Sequence, residues 1–222
     1  MRKLKKNIKK LLKIFFKKKK KKFNSKSYWE SRYESNSTSG SGSYGRLALF
    51  KASVINKFIS SNNVNSVIEM GCGDGNQLTY ANYPSYIGLD VSKRAISICK
   101  EKFKNDSTKS FLNITSLDKR NSLSADLAIS LDVIYHLVED DVYDDYMQSL
   151  FSLSKNYVII YSSNYEKKKA KHVRCREFTV WINKNVNEDF ELIETIKNEF
   201  PFDKSHPNTT SMSDFYIYKK IK

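Results

Sequence analysis

The sequence is poor in the residues that hold metals and disulfides. Its 222 residues include only three cysteines and three histidines. Cys72, Cys99 and Cys175 are odd in number and far apart, which indicates free thiols in a reducing compartment rather than a disulfide framework. No Cys-x-x-Cys or His-Glu-x-x-His spacing occurs, so we expect no metal site. These absences favour a cytoplasmic protein.

Long apolar runs are also missing. Lysines interrupt the apolar residues of the first segment, KLKKNIKKLLKIFFKKKKKKF, before a stretch of signal-peptide length can form. The same interruptions leave nothing near the roughly 20 apolar residues that a membrane-spanning helix needs. The segment therefore predicts neither a secretory signal nor a membrane span.

Acidic residues are absent from the first 22 positions, which hold thirteen of the 39 lysines and arginines. The rest of the chain carries 26 basic and 24 acidic residues, so the formal net charge of +15 falls to +2 outside this segment. The positive excess therefore belongs to one end of the chain. A body so nearly neutral lacks the basic surface of a nucleic-acid-binding domain, and nucleic acid is disfavoured as a partner.

We predict two regions, a basic amphipathic tail over residues 1–26 and one α/β domain over residues 27–222. Lysines fill one face of the tail, and apolar residues recur at helical spacing on the other: Leu4, Ile8, Leu11, Leu12 and Phe15. This pattern is typical of a helix that lies in an anionic membrane surface. It would hold the protein peripherally at the inner face of the membrane through residues 1–22. A disordered, solvated polycation is the alternative.

The segment that follows the tail changes character twice. Three aromatic residues, Tyr28, Trp29 and Tyr33, precede a serine- and glycine-rich stretch over residues 35–43. A helical period then begins at Leu47. The serine-rich stretch is either a flexible linker or a loop that covers a ligand.

From residue 65 onward, short β-rich runs alternate with helical patterns. The predicted helices cover residues 92–103 and 139–153, and the predicted strands cover residues 66–70, 86–91, 110–114, 126–131, 157–163, 190–197 and 213–220. We expect the last strand to lie at the edge of the sheet. Such alternation predicts a doubly wound, mainly parallel sheet whose ligand lies at the carboxyl ends of the strands.

A glycine-rich turn, EMGCGDGNQL over residues 69–78, follows the first predicted strand. Its glycines alternate as Gly-x-Gly-x-Gly and are followed by Asn76, whereas a dinucleotide fingerprint needs Gly-x-Gly-x-x-Gly. A Gly-Lys-Ser/Thr triplet, which a nucleoside triphosphate loop requires, is missing. The turn therefore fits neither phosphate-binding pattern.

The turn and the strand after it resemble the first two motifs of class I S-adenosylmethionine-dependent methyltransferases. The residues that carry the resemblance are Glu69, Gly71, Gly73, Asp74, Gly75 and, at the end of the next strand, Asp90. The resemblance implies a Rossmann-like seven-stranded sheet and S-adenosyl-L-methionine as cofactor, with the Asp90 carboxylate on both ribose hydroxyls. Alternatively, the glycines serve only the turn and Asp90 caps the following helix.

The resemblance extends over most of residues 28–220 and favours a group associated with bacterial surface-polysaccharide biosynthesis. It implies O-methylation of a small-molecule or glycan-linked acceptor. Asn113 takes the place of an aspartate near the adenine amine. The segment SLDVIYHL implies that Tyr135 contacts the acceptor and that Asp132 and His136 orient or deprotonate its hydroxyl. A histidine that only holds the loop is the alternative.

A basic segment after the fifth strand, HVRCR, places His172, Arg174 and Arg176 on one side of an extended chain. It either grips a phosphate or carboxylate of the acceptor or forms a solvated loop. Arg46 is expected to pair with the methionyl carboxylate of the cofactor or with a surface acid.

Two other functions remain open from the sequence. One is a non-catalytic methyltransferase-like domain that binds partners in a membrane-associated assembly. The other is a nucleic-acid methyltransferase, which the near-neutral body and the missing Asp/Asn-Pro-Pro-aromatic motif disfavour. The acceptor, the use of a general base and the oligomeric state are not predicted.

Overall fold

The computed structural model describes residues 23–116 and 123–222 and contains a seven-stranded sheet. Strands β1 to β5 run over Val67–Met70, Tyr86–Asp90, Lys109–Asn113, Ala125–Leu131 and Ser154–Ser162. Strands β6 to β9 run over Lys167–Ala170, Val173–Cys175, Phe190–Ile196 and Asp214–Lys220. The sheet order is β3-β2-β1-β4-β5-β9-β8, and β6 pairs with β7 in a separate hairpin.

Strands β1 to β5 run parallel to one another, and β9 pairs antiparallel with both β5 and β8. This confirms the predicted doubly wound, mainly parallel seven-stranded sheet. The prediction for the last strand is wrong, because β9 lies inside the sheet and β8 forms the edge. The buried side chains of Phe215 and Ile217 on β9 explain the difference, since β8 exposes most of its residues.

Five α-helices are described. They are α1 Ser25–Glu34, α2 Gly45–Ser61, α3 Lys93–Lys102, α4 Asp140–Ser152 and α5 Phe178–Asn185. Helices α2 and α3 contribute to the apolar cluster on one face of the sheet, and α4 and α5 contribute to the cluster on the other face. Alternate residues of β4 enter the two clusters, as the twofold period of a strand requires: Leu127 and Ile129 enter one and Ala128 the other. The sheet is therefore buried on both faces.

Helix α1 and the β6–β7 hairpin were not predicted as elements. Helix α1 begins at Ser25, whose backbone amide and hydroxyl donate to the Glu139 carboxylate at 2.8 and 2.9 Å. The predicted boundary after residue 26 therefore lies inside this helix. The amphipathic pattern of residues 4–15 lies outside the described residues. No helix within residues 23–116 and 123–222 combines the length and apolarity that a membrane crossing requires.

Two glycines with positive φ offer a matched test of packing at the glycine turn. A Cβ at Gly73 (φ +57°) would lie 2.3 Å from Ser39 Oγ, whereas a Cβ at Gly45 (φ +54°) would meet no atom within 4 Å. Alanine strains the backbone at both sites by about 1 kcal/mol. We expect Gly73→Ala to lower the free energy of unfolding by more than Gly45→Ala, as measured by urea titration. Equal losses would mean that the contact with Ser39 adds nothing.

Candidate functional site

A cavity of about 310 Å³ opens at the carboxyl ends of β1, β2 and β4. Its lining comes from the glycine turn, the ends of these strands, the start of α1 and the serine-rich loop over residues 39–43. This volume lies within the range of small-molecule sites, and the position is where doubly wound sheets bind ligands. The serine-rich loop therefore lies over the cavity instead of linking two domains.

The serine-rich loop is fastened to the glycine turn by reciprocal hydrogen bonds. The Ser39 amide donates to Asp74 Oδ2, and the Asp74 amide donates to Ser39 Oγ, both at 2.9 Å. The Tyr44 hydroxyl and the Asn76 amide also donate to the Asp74 carboxylate. Burial alone would raise the pKa of Asp74, but these hydrogen bonds outweigh it and lower the pKa. Asp74 thus stays charged and holds the loop.

Asp90 lies at the end of β2 and lines the cavity. Its carboxylate accepts hydrogen bonds from the amides of Gly73 at 3.0 Å and Ser92 at 2.8 Å. Burial raises the pKa of Asp90 to about 6, and the two amide bonds act in the opposite direction. The helix after β2 is capped by the Ser92 hydroxyl, which accepts from the Ala95 amide. Asp90 is therefore not needed as the side-chain cap of that helix.

Glu69 lines the cavity from the middle of the sheet. The Tyr86 hydroxyl donates to Glu69 Oε2 at 2.6 Å. Burial raises the pKa of Glu69 to about 7, while the Tyr86 bond and the charge of Lys51 lower it. The floor of the cavity therefore carries a carboxyl group that changes charge near neutral pH.

A buried ion pair lies beyond the end of β4. Lys51 Nζ, on a side chain that is 1% exposed, contacts Asp132 Oδ2 at 2.8 Å. The Ser213 hydroxyl donates to Asp132 Oδ1 at 3.0 Å. Asp132 has a backbone φ of +60°, in the left-handed region that aspartate tolerates better than most residues. The pair therefore fixes a strained residue and its carboxylate at the cavity wall.

His136 lies in the short turn after β4 and lines the cavity. Its Nδ1 is 2.9 Å from the His172 carbonyl oxygen, which can only accept, so the ring proton must be on Nδ1. Burial lowers the pKa of His136 to about 4, although the bond to His172 raises it. The ring is therefore neutral at pH 7, with an unprotonated Nε2 that can accept a proton.

Aromatic side chains complete the wall near His136. Trp29 makes an edge contact with the His136 ring at 4.8 Å between centroids. Tyr33, Tyr135 and Tyr146 also line the cavity. Burial and the nearby Asp132 charge raise the pKa of Tyr135 well above its ordinary value, so this phenol stays neutral.

The structure brings together the predicted residues Glu69, Gly71, Gly73, Asp90, Asp132, Tyr135 and His136 at one cavity. It does not bring Asp74, Gly75 or Asn113 into the lining. Asp74 acts through the serine-rich loop, and a Cβ at Gly75 would lie 2.9 Å from the Phe103 ring. Asn113 donates to the backbone oxygens of Asp90 and Val91.

The predicted arginines also lie outside the lining. The guanidinium of Arg46 donates to the Thr209 oxygen and lies 4.3 Å from the centre of the Phe200 ring. Arg176 is buried, donates to the carbonyls of Leu137 and Val138, and pairs with Asp140. These contacts keep both guanidinium groups away from a ligand in the cavity.

The rest of the basic segment borders the cavity without lining it. Arg174 pairs with Asp140 at 2.7 Å and with Glu166 at 3.2 Å. His172 stacks on Tyr28 at 4.8 Å between ring centroids, and its carbonyl oxygen accepts a hydrogen bond from His136. The segment therefore supports the turn that carries His136.

Sequence reasoning missed Lys51, Ser39 and Gln77, all of which line the cavity. Lys51 had a usable signal, because it is a lysine on the apolar face of α2, four residues after Leu47 and four before Ile55. Gln77 Oε1 is buried and has no hydrogen-bond partner among the described residues, a feature that only the fold reveals. Within the same described residues, no group of three or more metal-ligating side chains occurs.

Comparisons with known proteins agree with the fold. A family model described as "Methyltransferase domain" matches residues 2–193. No curated protein matches the chain. Among solved structures, the methyltransferase domain of bacterial CtHen1-C is 19% identical, with a TM-score of 0.60, and the match covers 78% of this chain and 98% of that one.

Two further solved structures share the fold. The N-methyltransferase NodS from Bradyrhizobium japonicum WM9, in complex with S-adenosyl-L-homocysteine, is 16% identical with a TM-score of 0.59, over 80% of this chain and 87% of that one. The magnesium protoporphyrin IX methyltransferase ChlM from Synechocystis PCC 6803, with the same ligand bound, is 14% identical with a TM-score of 0.63, over 88% of this chain and 99% of that one.

The Lys51–Asp132 pair can be tested by a double-mutant cycle. Lys51→Met leaves the Asp132 charge unpaired at the cavity wall and should lower the free energy of unfolding by about 2 to 4 kcal/mol. Asp132→Asn tolerates the left-handed backbone and keeps an oxygen that accepts from Ser213, but it leaves the buried Lys51 charge without its partner. The double variant should lose less than the sum of the single losses in urea titrations. Additive losses would show that the pair contributes no coupling.

The protonation state of His136 predicts a pH effect. An unfolded histidine binds its proton near pH 6.5, and folding lowers the pKa of His136 to about 4. Between these values the unfolded state binds more protons, so this residue's contribution to stability falls as pH drops through that window. In ¹⁵N NMR, the folded ring should remain the neutral Nδ1–H tautomer at pH 5.5, with His136→Gln identifying the signal. Protonation near pH 6.5 in the folded protein would contradict the assignment.

Proposed function

The chain belongs to the methyltransferase-domain family, and from this membership we propose that it transfers a methyl group from S-adenosyl-L-methionine to an oxygen of an acceptor. The observation that carries the proposal is the placement of Asp90 and the glycine turn on one side of a cavity that has Asp132 and His136 on the other. One side suits a cofactor and the other suits an acceptor.

The cavity fits the cofactor at three points. The Asp90 carboxylate can accept hydrogen bonds from a ribose diol, and Gly71 and Gly73 bring backbone without side chains to the ligand. Gln77 Oε1 is a buried oxygen without a hydrogen-bond partner among the described residues, as expected of an acceptor for the ammonium of an amino-acid tail. The structures of NodS and ChlM contain S-adenosyl-L-homocysteine, which supports the same ligand class.

When bound, the cofactor supplies a methyl group on a positively charged sulfur. The protein has to position the acceptor oxygen for the transfer and exclude water. Positioning alone can lower the barrier of such a reaction substantially. We assign orientation of the acceptor hydroxyl to Asp132, whose own position depends on Lys51. We assign its proton to Nε2 of His136, which is neutral and unprotonated near pH 7 because burial lowers the pKa. Tyr135 contributes a neutral phenol to the acceptor side.

We further propose a small-molecule or glycan-linked acceptor, as in bacterial surface-polysaccharide biosynthesis. The concave, partly aromatic cavity suits a sugar or another small ring better than a flat macromolecular surface. We also propose a cytoplasmic enzyme held at the membrane through residues 1–22, on the basis of their thirteen basic residues.

The proposed cofactor role of Asp90 has a matched control in Asp126. Each carboxylate accepts hydrogen bonds from two backbone amides. Those of Asp126 come from Asn65 and Ser66, at the amino ends of the strands and away from the cavity. Asp90→Ala should weaken binding of S-adenosyl-L-homocysteine by about 1 to 3 kcal/mol in calorimetry. Asp126→Ala should leave the affinity unchanged. Unchanged affinity in a folded Asp90→Ala protein would sink the cofactor assignment.

Methyl transfer itself can be tested with deuterated cofactor. The full-length protein is incubated with methyl-deuterated S-adenosyl-L-methionine and a panel of sugar nucleotides and lipid-linked glycans, and mass spectrometry detects one added label. His136→Ala should lower turnover by about 10²-fold and leave cofactor affinity intact. The control is His206→Ala, which changes an exposed histidine that does not line the cavity. Normal turnover in His136→Ala would remove the proton-accepting role.

A further inference from the structure

We propose that the mouth of the cavity faces an anionic lipid bilayer, and that the β6–β7 hairpin is its docking surface. The inference rests on the proposed function only for its consequence, namely that the acceptor reaches the cavity from the membrane. The surface consists of the exposed hairpin lysines Lys167, Lys168, Lys169 and Lys171. We call these four residues the basic hairpin.

The basic hairpin is a concentration of charge in a nearly neutral body. Residues 165–176 contain six basic residues and one acid, whereas residues 23–222 together contain 26 basic and 24 acidic residues. The two acids nearest the segment's arginines are already paired, Glu166 with Arg174, and Asp140 with both Arg174 and Arg176. The four lysines thus form a positive patch, and none of them has an ion-pair partner among the described residues.

The basic hairpin lies beside the mouth of the cavity. His172, in the turn between β6 and β7, stacks on Tyr28 of α1 at 4.8 Å between ring centroids. Its carbonyl oxygen holds His136, which lines the cavity. A surface that docks through this hairpin therefore lies close to the proposed acceptor side.

The basic tail joins the domain at the same place. Asn24, Ser25 and Lys26 line the cavity, and the Phe23 ring lies 5.7 Å from the Tyr28 ring. Thirteen basic residues therefore precede the mouth in the chain, and four exposed lysines flank it in the fold.

Exposed aromatic side chains favour a bilayer over a nucleic acid as the occupant. Lys169 Nζ lies 5.5 Å from the centre of the Tyr165 ring and 5.1 Å from that of Phe202. Both rings are exposed, at 36% and 48%. Exposed aromatic rings beside basic side chains are typical of surfaces that enter the headgroup region of a membrane. An acceptor carried on a lipid would then enter the cavity without leaving the membrane surface.

Vesicle binding of the full-length protein tests the surface. The variant Lys167→Gln/Lys168→Gln/Lys171→Gln removes three charges from the basic hairpin. The matched control, Lys57→Gln/Lys104→Gln/Lys155→Gln, removes three exposed charges near the amino ends of the strands. On vesicles with phosphatidylserine, the hairpin variant should bind at least about 10-fold more weakly than wild type at low salt, and the control should lose clearly less. Equal losses in the two variants would overturn the docking surface.

The orientation is tested by fluorescent labels on introduced cysteines, since Cys72, Cys99 and Cys175 are buried. Ala170→Cys places the label at the hairpin and keeps every lysine, and Ser85→Cys places it on the exposed loop before β2. Spin-labelled lipid should quench the first label at least about threefold more than the second. Equal quenching, or stronger quenching at Ser85→Cys, would overturn the proposed orientation.

Two measurements separate this inference from the proposed function. Calorimetry with S-adenosyl-L-homocysteine on the same samples should show unchanged affinity in the hairpin variant. If the hairpin variant loses vesicle binding but keeps its affinity for S-adenosyl-L-homocysteine, the docking surface acts separately from the cofactor site. If the wild-type protein binds vesicles but not S-adenosyl-L-homocysteine, only the proposed function is wrong. Preferential binding of single-stranded RNA over vesicles, lost in the hairpin variant, would overturn the bilayer in favour of a nucleic acid.

Discussion

The cavity depends on the reciprocal hydrogen bonds between Ser39 and Asp74. These bonds hold the serine-rich loop against the glycine turn, and the lowered pKa of Asp74 keeps the carboxylate charged while it accepts them. The contact requires Gly73, because any Cβ there would overlap Ser39 Oγ. The glycine turn therefore exposes its backbone to the cavity and also leaves room for the serine-rich loop to approach it. Without the covering loop, the cavity would be an open groove at the end of the sheet.

The two ends of the cavity differ in how they hold charge. At the proposed cofactor end, burial raises the pKa of Asp90 to about 6 and that of Glu69 to about 7, so both carboxyls are costly to ionise without a partner. At the proposed acceptor end, Asp132 is paired with Lys51 and burial keeps His136 neutral. A ligand with hydroxyl and ammonium donors thus gains most at the first end, and a neutral hydroxyl gains most at the second.

The sequence predicted what depends on backbone pattern and failed where side-chain direction decides. Alternating β-rich and helical runs identified the sheet, and the residues after β1, β2 and β4 were brought to one cavity because the carboxyl ends of parallel strands share an edge. The sequence left Arg46 and Arg176 either at a ligand or at the surface, and in the structure carbonyl oxygens and Asp140 bind their guanidinium groups. The order of the last two strands could not be read either, since their antiparallel pairing depends on burial by neighbours distant in sequence.

The serine-rich loop and the glycine turn line one cavity, and hydrogen exchange with and without S-adenosyl-L-homocysteine tests whether they close on one ligand together. The ligand should slow amide exchange in residues 39–43 and 71–75 in parallel. Exchange in residues 62–66, at the amino ends of the strands, should not change. Protection of the turn without the loop, or protection confined to another region of the chain, would contradict the claim that Ser39 and Asp74 build the site.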